Sequence, residues 1–171
     1  MTVRKVNHLT TPTTVRNSSV ENLLFELSVP AYGLQTFGGI RMTAAGTILN
    51  TSASTGRITL KVKLSTSTGT GGTIIAATTT VPCTTSANSR YWLARSDILA
   101  PATSAQTGWS NIDISVPTAG TAGLSTASYV GLSTAALVET GVVYVKMTAE
   151  LSTASTNFTL VGKSAWIEAV K

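Results

Sequence analysis

"LFELSVPAYGLQTFGGIRMT", residues 24–43, joins two apolar runs through a proline and three glycines. Leu23, Phe25, Leu27 and Val29 recur at every second position, the period of a strand with one buried face. Pro30 offers no backbone N–H to a ladder, so that strand ends there. Gly33, Gly38 and Gly39 suit the tight turn that follows. A second strand then begins at Ile40 and runs to about residue 52. Its Ala44-Ala45-Gly46 middle marks a bulge or a close packing contact.

The same alternation of strands and breakers extends outward from this stretch. "GRITLKVKLS", 56–65, is the most regular strand, with Ile58, Leu60, Val62 and Leu64 on one face and Arg57, Thr59, Lys61 and Lys63 on the other. "TSTGTGG", 66–72, is a loop, and "TIIAATTTV", 73–81, a strand closed by Pro82. "SRYWLARSDILA", 89–100, reads as a strand closed by Pro101, although "YWLARSDIL" alone would also suit a short helix, and "GWSNIDISV", 108–116, as a strand closed by Pro117. Residues 118–140 are rich in small side chains without alternation, and read as a long loop holding one short strand at most. "GVVYVKMTAEL", 141–151, alternates well, with Val143, Val145, Met147, Ala149 and Leu151 apolar. "FTLVGKSAWIEAVK", 158–171, is the last strand, and Gly162 predicts a bulge that changes which face is apolar.

Composition agrees with this reading. Thr, Ser, Ala and Gly number 31, 19, 20 and 14 among 171 residues, nearly half the chain, while charged residues are 11%. Thr sits well on the solvated face of a sheet, and the Glu, Lys, Arg and Gln of helix surfaces are scarce. The fold expected is all-β, an eight-stranded antiparallel jelly-roll β-sandwich with an extended N-terminal arm. Strands of 8–12 residues and two long connections suit a jelly roll better than an immunoglobulin sandwich, whose Cys–Trp–Cys spacing is absent. Residues 1–20 form the arm, or a short edge strand, outside the core; residues 21–171 form the sandwich.

Several function classes find no support. The net charge of +5 comes from scattered basic residues without aromatic interleaving, so no nucleic-acid partner is expected. No apolar run reaches 18 residues and the N-terminus has no apolar leader, so neither a membrane span nor a secretory signal is expected. One cysteine, Cys83, makes neither a disulfide framework nor a metal cluster and is expected buried. One histidine, His8, and seven dispersed carboxylates give no triad, paired-carboxylate cleft or metal site. Asp97 and Asp113 would meet only if their strands paired in the right register. "GTGG", 69–72, lacks the Lys-Ser/Thr ending of a phosphate loop. "NSS" at 17–19, "NTS" at 50–52 and "NFT" at 157–159 read as turn residues. No enzyme, cofactor or metal is expected. Tyr91, Trp92, Trp109 and Trp166 would make a sugar-stacking platform if exposed, but aromatic residues in strands are commonly core; Trp92 and Trp166 are expected buried and Trp109 partly exposed.

The order "VPAYGL" (29–34), "GGIRM" (38–42), "GTILNTS" (46–52), "RITLKVKL" (57–64), "GGT" (71–73) and "YWLARSDI" (91–98) resembles jelly-roll virion proteins of tailed bacteriophages, the capsid decoration (cement) and tail-associated kind. The departure is "STSTGT", 65–70, which lengthens the step before Gly-Gly-Thr. The resemblance implies a homotrimer that binds the major capsid protein or another virion protein on the head, with a receptor- or carbohydrate-binding module of a tail fibre as the alternative. An extended polar arm orders only against a partner. Val3, Arg4, Lys5 and Arg16 are therefore the expected partner-binding residues, with Arg4 and Lys5 facing acidic groups.

Overall fold

The computed structural model describes residues 4–33, 38–78, 80–99, 106–117, 124–135 and 140–169, of which 4–5, 106–117 and 124–135 are described as backbone only. The larger sheet contains β1 (Arg4–Leu9), β2 (Thr13–Arg16), β4 (Gly39–Asn50), β8 (Arg90–Leu99), β9 (Gln106–Pro117), β10 (Leu124–Ala135) and β12 (Phe158–Ala169). The smaller sheet contains β3 (Asn22–Val29), β5 (Gly56–Ser65), β6 (Thr73–Ala77), β7 (Val81–Cys83) and β11 (Val143–Leu151). All pairings among these strands are antiparallel.

Strand order identifies the jelly roll. The larger sheet runs β1–β12–β4–β8–β9–β10, with β2 also on β12; the smaller runs β3–β11–β5–β6, with β7 also on β5. Without the β9–β10 hairpin, two four-stranded sheets remain. Successive strands then alternate between them except at the step from β5 to β6. Twelve strands appear where eight were counted. The arm contributes β1 and β2, which share one position beside β12, and β10 is added beside β9. The strand expected over 73–81 is broken into β6 and β7 at Thr78, whose backbone N–H donates to Leu60 O at 2.8 Å. Pro82 lies inside β7 instead of ending a strand; it pairs with Arg57 on the sheet's edge, where its missing N–H leaves no partner unmet.

The hairpin corrects the loop expected over 118–140. β10 pairs residue for residue with β9, from Leu124 opposite Pro117 to Ala135 opposite Gln106. Its Ser, Thr, Ala and Gly residues hide the alternation by which a strand is recognised in sequence.

The N-terminal segment is extended, as expected, but its partner is this chain's own β12: Arg4 stands opposite Ala169 and Arg16 opposite Thr159. Val15, expected outside the core, is buried within it, and Val6 and Leu9 pack against the core's edge. On β3 the alternation slips where Met147 and Thr148 pair with Phe25 and Leu23 across a bulge, so Leu24 and Phe25 are both buried.

Three large rings in the core rest on glycines. The Trp92 indole covers Gly46 and donates from Nε1 to Val161 O at 3.1 Å. A Cβ on Gly46 would stand 1.8 Å from Val161 O and 2.7 Å from Trp92 Nε1. A Cβ on Gly162 would meet the Phe25 ring at 2.5 Å, and one on Gly56 the Phe158 ring at 2.6 Å. The bulge expected at Gly162 is present, between Gly162 and Ser164. It turns Ala165, Ile167 and Ala169 inward and leaves Trp166 half-buried on the outer face, where burial in the core was expected.

Candidate functional site

The outer face of the larger sheet is built by simple alternation. On β4, Ile40, Met42, Ala44 and Ile48 point into the core, so Thr47 and Leu49 point outward. Register extends this face across four strands. Tyr91 of β8 stands opposite Thr47, Thr47 opposite Val161 of β12, and Val161 opposite Thr14 of β2. The next row holds Leu49, Thr159 and Arg16. A groove of about 360 Å³ opens here, floored by Thr47, Leu49, Thr159 and Val161 and walled by Arg16, Thr51, Ser89, Thr156 and Asn157.

Six of the nine described lining residues carry a hydroxyl or amide, and among the nine Arg16 is the one that is charged. The Arg16 Nε donates to Thr156 O at 2.8 Å, which fixes the guanidinium at the wall. Among the described residues nothing engages its terminal nitrogens. Tyr91, in register with the floor residue Thr47, is 73% exposed, and Lys163 Nζ stands 5.7 Å from its ring centroid. Farther along the same strands, Arg41 and Asp97 form a two-point ion pair at 2.6 and 3.0 Å. The hydrogen bonds that Arg41 donates to Asp97, and the Asp97 charge, raise the Arg41 pKa.

The smaller sheet's outer face is covered. Lys63 donates to Glu21 and, at 2.9 Å, to Thr70 O. Lys146, fully buried at 0% exposure, donates to Ser67 O and, at 2.9 Å, to Gly71 O, with Glu26 at 3.7 Å and the Tyr144 ring centroid at 6.0 Å. Gly69 N in turn donates to Glu26 at 2.8 Å, so the 66–72 loop is tied across this face at several points. Lys61 bridges Glu21 and Glu150 at 2.8 and 3.3 Å. Partial burial alone would raise the Glu21 carboxyl, but the lysine hydrogen bonds outweigh it and hold the pKa at about 2. The same Glu21 hydrogen bond raises the Lys61 pKa.

The remaining sequence candidates fall as follows. Val3 lies outside the described residues, as do the side chains of Arg4, Lys5, Trp109 and Asp113. Arg16 joins the groove. Asp97 binds Arg41, and the backbone of Asp113 stands in register with Arg95 and not with Asp97. Cys83 is buried, as expected, and burial pushes its thiol up to about 12, which leaves it protonated and unreactive at neutral pH. Asn50 is buried and donates to Cys83 O at 2.7 Å and Ser54 O at 3.1 Å, so it works as a structural bridge. His8 is exposed, and among the described residues no three His, Cys, Asp or Glu side chains could together hold a metal. Nor, among them, is any helix long and apolar enough to cross a membrane. The groove was not foreseen, although Tyr91, in register with its floor residue Thr47, had been noted.

No protein-family model matches the sequence, and no curated protein matches it. Among solved structures, the CBM2 module of the evolved Dit of Lactobacillus casei BL23 phage J-1 is similar over 99% of this chain and 97% of that one, at 10% identity and a TM-score of 0.38. The sugar-binding C-terminal domain of EclA covers 93% of this chain and 78% of its own length, at 8% identity and 0.37. The carbohydrate esterase vb_24B_21 of Shiga toxin-encoding bacteriophage phi24B covers 96% and 90%, at 8% identity and 0.40. Likeness this distant does not bear on what the chain binds, and the fold rests on its own strand order.

Proposed function

We propose that this chain is a non-enzymatic bacteriophage virion module that binds a saccharide through the groove on its larger sheet. One observation carries the binding reading: hydroxyl, amide and guanidinium groups converge on an open groove beside an exposed tyrosine. Sugars are bound by such fixed polar groups together with an aromatic face that packs against the ring. The phage setting rests on the sequence resemblance. The reading corresponds to the receptor- or carbohydrate-binding alternative, acts without a cofactor and places the chain on the particle surface. Retention of the purified chain on immobilised bacterial cell-wall polysaccharide tests it. Retention is expected for the native chain, with loss for a Thr47→Val, Tyr91→Ala double variant. A chain that coats purified phage heads but ignores polysaccharide would overturn it.

Capsid decoration is favoured by a different feature. The larger sheet ends in β1 and β10, and an edge strand is a template for pairing with another chain. In that reading Val3, Arg4 and Lys5 flank a contact between β1 and the major capsid protein, and a homotrimer covers the β10 edge. Light scattering of the purified chain and cryo-electron microscopy of the particle test both parts.

A further inference from the structure

We infer that the groove takes an acidic polysaccharide, one whose sugars carry carboxylate or phosphate groups, and that Arg16 binds the anion. This rests on the saccharide reading above and narrows its ligand. Arg16 is fixed by a single hydrogen bond through Nε, and among the described residues its terminal nitrogens have no partner. A guanidinium with its outer donors unoccupied is suited to two-point binding of a carboxylate or phosphate. Among the described residues no carboxylate lines the groove to compete for it. Lys163, at the Tyr91 ring, adds a second positive charge to the same end of the sheet. Among the side chains the structure describes on this face, the carboxylates Asp97 and Glu168 lie toward the opposite ends of β8 and β12, where Glu168 pairs with Arg41 in register and Asp97 is bound by Arg41.

Geometry also sets the size of the ligand. Arg16 on β2 and Tyr91 on β8 are separated by β12 and β4, which is three strand spacings, or about 14 Å. A single sugar does not reach both, whereas a linear oligosaccharide laid across the strands does. The ligand is therefore a polymer that crosses β12 and β4, with an anionic group on Arg16 and a ring against Tyr91.

Titration calorimetry of the full chain at low salt tests this. The probes are oligogalacturonate for carboxylate, poly(glycerol phosphate) for phosphate, dextran oligomers for a neutral chain, and polyglutamate for a polyanion without sugar. At least one acidic saccharide is expected to bind about ten-fold or more tightly than dextran, and the stronger of the two identifies the anion. Arg16→Gln should lower that affinity by about ten-fold or more with an unchanged melting temperature, and Arg16→Lys should restore part of it. Dextran binding as tightly, with Arg16→Gln without effect, would overturn the acidic ligand and leave the saccharide reading standing. Polyglutamate binding as tightly as the acidic saccharides would overturn it in favour of generic charge attraction. If no saccharide binds at all, the saccharide reading falls and this inference with it.

Discussion

The two outer faces of this sandwich use their cations in opposite ways. On the smaller sheet, Lys61, Lys63 and Lys146 are committed to Glu21, Glu26, Glu150 and the carbonyls of the 66–72 loop. On the larger sheet, Arg16 and Lys163 stand beside an open groove and an exposed tyrosine. A lysine held between carboxylates and carbonyls of its own chain is part of the scaffold. An arginine with donors to spare, on a face that no described loop covers, is available to a partner. The proposed binding face rests on this contrast.

The strongest attack on the larger face comes from beneath it. Gly46→Ala would force a Cβ against the Val161 carbonyl and the Trp92 ring, and the carbonyl cannot move without separating β4 from β12. A loss of more than about 4 kcal/mol is expected in chemical denaturation, because backbone has to shift. A loss below about 1 kcal/mol would mean that the sheet relaxes around the ring and that the groove floor is soft.

On the smaller face the expected effect is somewhat less. Lys146→Ala removes a buried charge from Glu26 and from two loop carbonyls, at a cost of about 3–5 kcal/mol. Hydrogen exchange should then quicken across residues 66–72 and not in the groove. Equal quickening on both faces would erase the distinction drawn here.

Acid should act on the smaller face first. The folded pKa of Glu21, about 2, lies below its ordinary 4.5, so its contribution to stability is complete above pH 4.5 and is lost as pH falls toward 2. Native protein should lose melting temperature through that window more steeply than Glu21→Gln. Parallel curves for the two would show that the lysines do not depend on this carboxylate.

Smallest of all is Tyr91→Ala. With the ring mostly in solvent, stability should change by no more than about 0.5 kcal/mol. A larger loss in thermal melting would assign Tyr91 to the scaffold and weaken the case for the groove.

Much of this fold is legible in the sequence, for reasons that also explain the gaps. β5 and β11 alternate cleanly because one face of each meets the core, so Leu60, Val62, Val145 and Met147 could be placed without coordinates. Gly162 announced its bulge because a glycine in a strand leaves room for another backbone or ring. β10 was missed because its Ala, Ser and Thr residues suit either face. Lys146 could not be recognised as buried, since its cover is a loop brought from far along the chain. The groove was hidden for a related reason. Arg16, Thr47 and Asn157 are remote in sequence and meet only through strand register, which local pattern does not specify.

The three ring-on-glycine contacts act as a register key. A chain rich in interchangeable Thr, Ser and Ala gives neighbouring strands little reason to prefer one alignment over a slip of two residues. Trp92, Phe25 and Phe158 each require a position without a Cβ, and a two-residue slip of the glycine's strand would drive the ring into a side chain. The strands are thus aligned from inside, by three contacts that solvent never meets. The outer surface is free of that duty, so its threonines and its arginine can be exchanged to suit a new partner while every strand keeps its place.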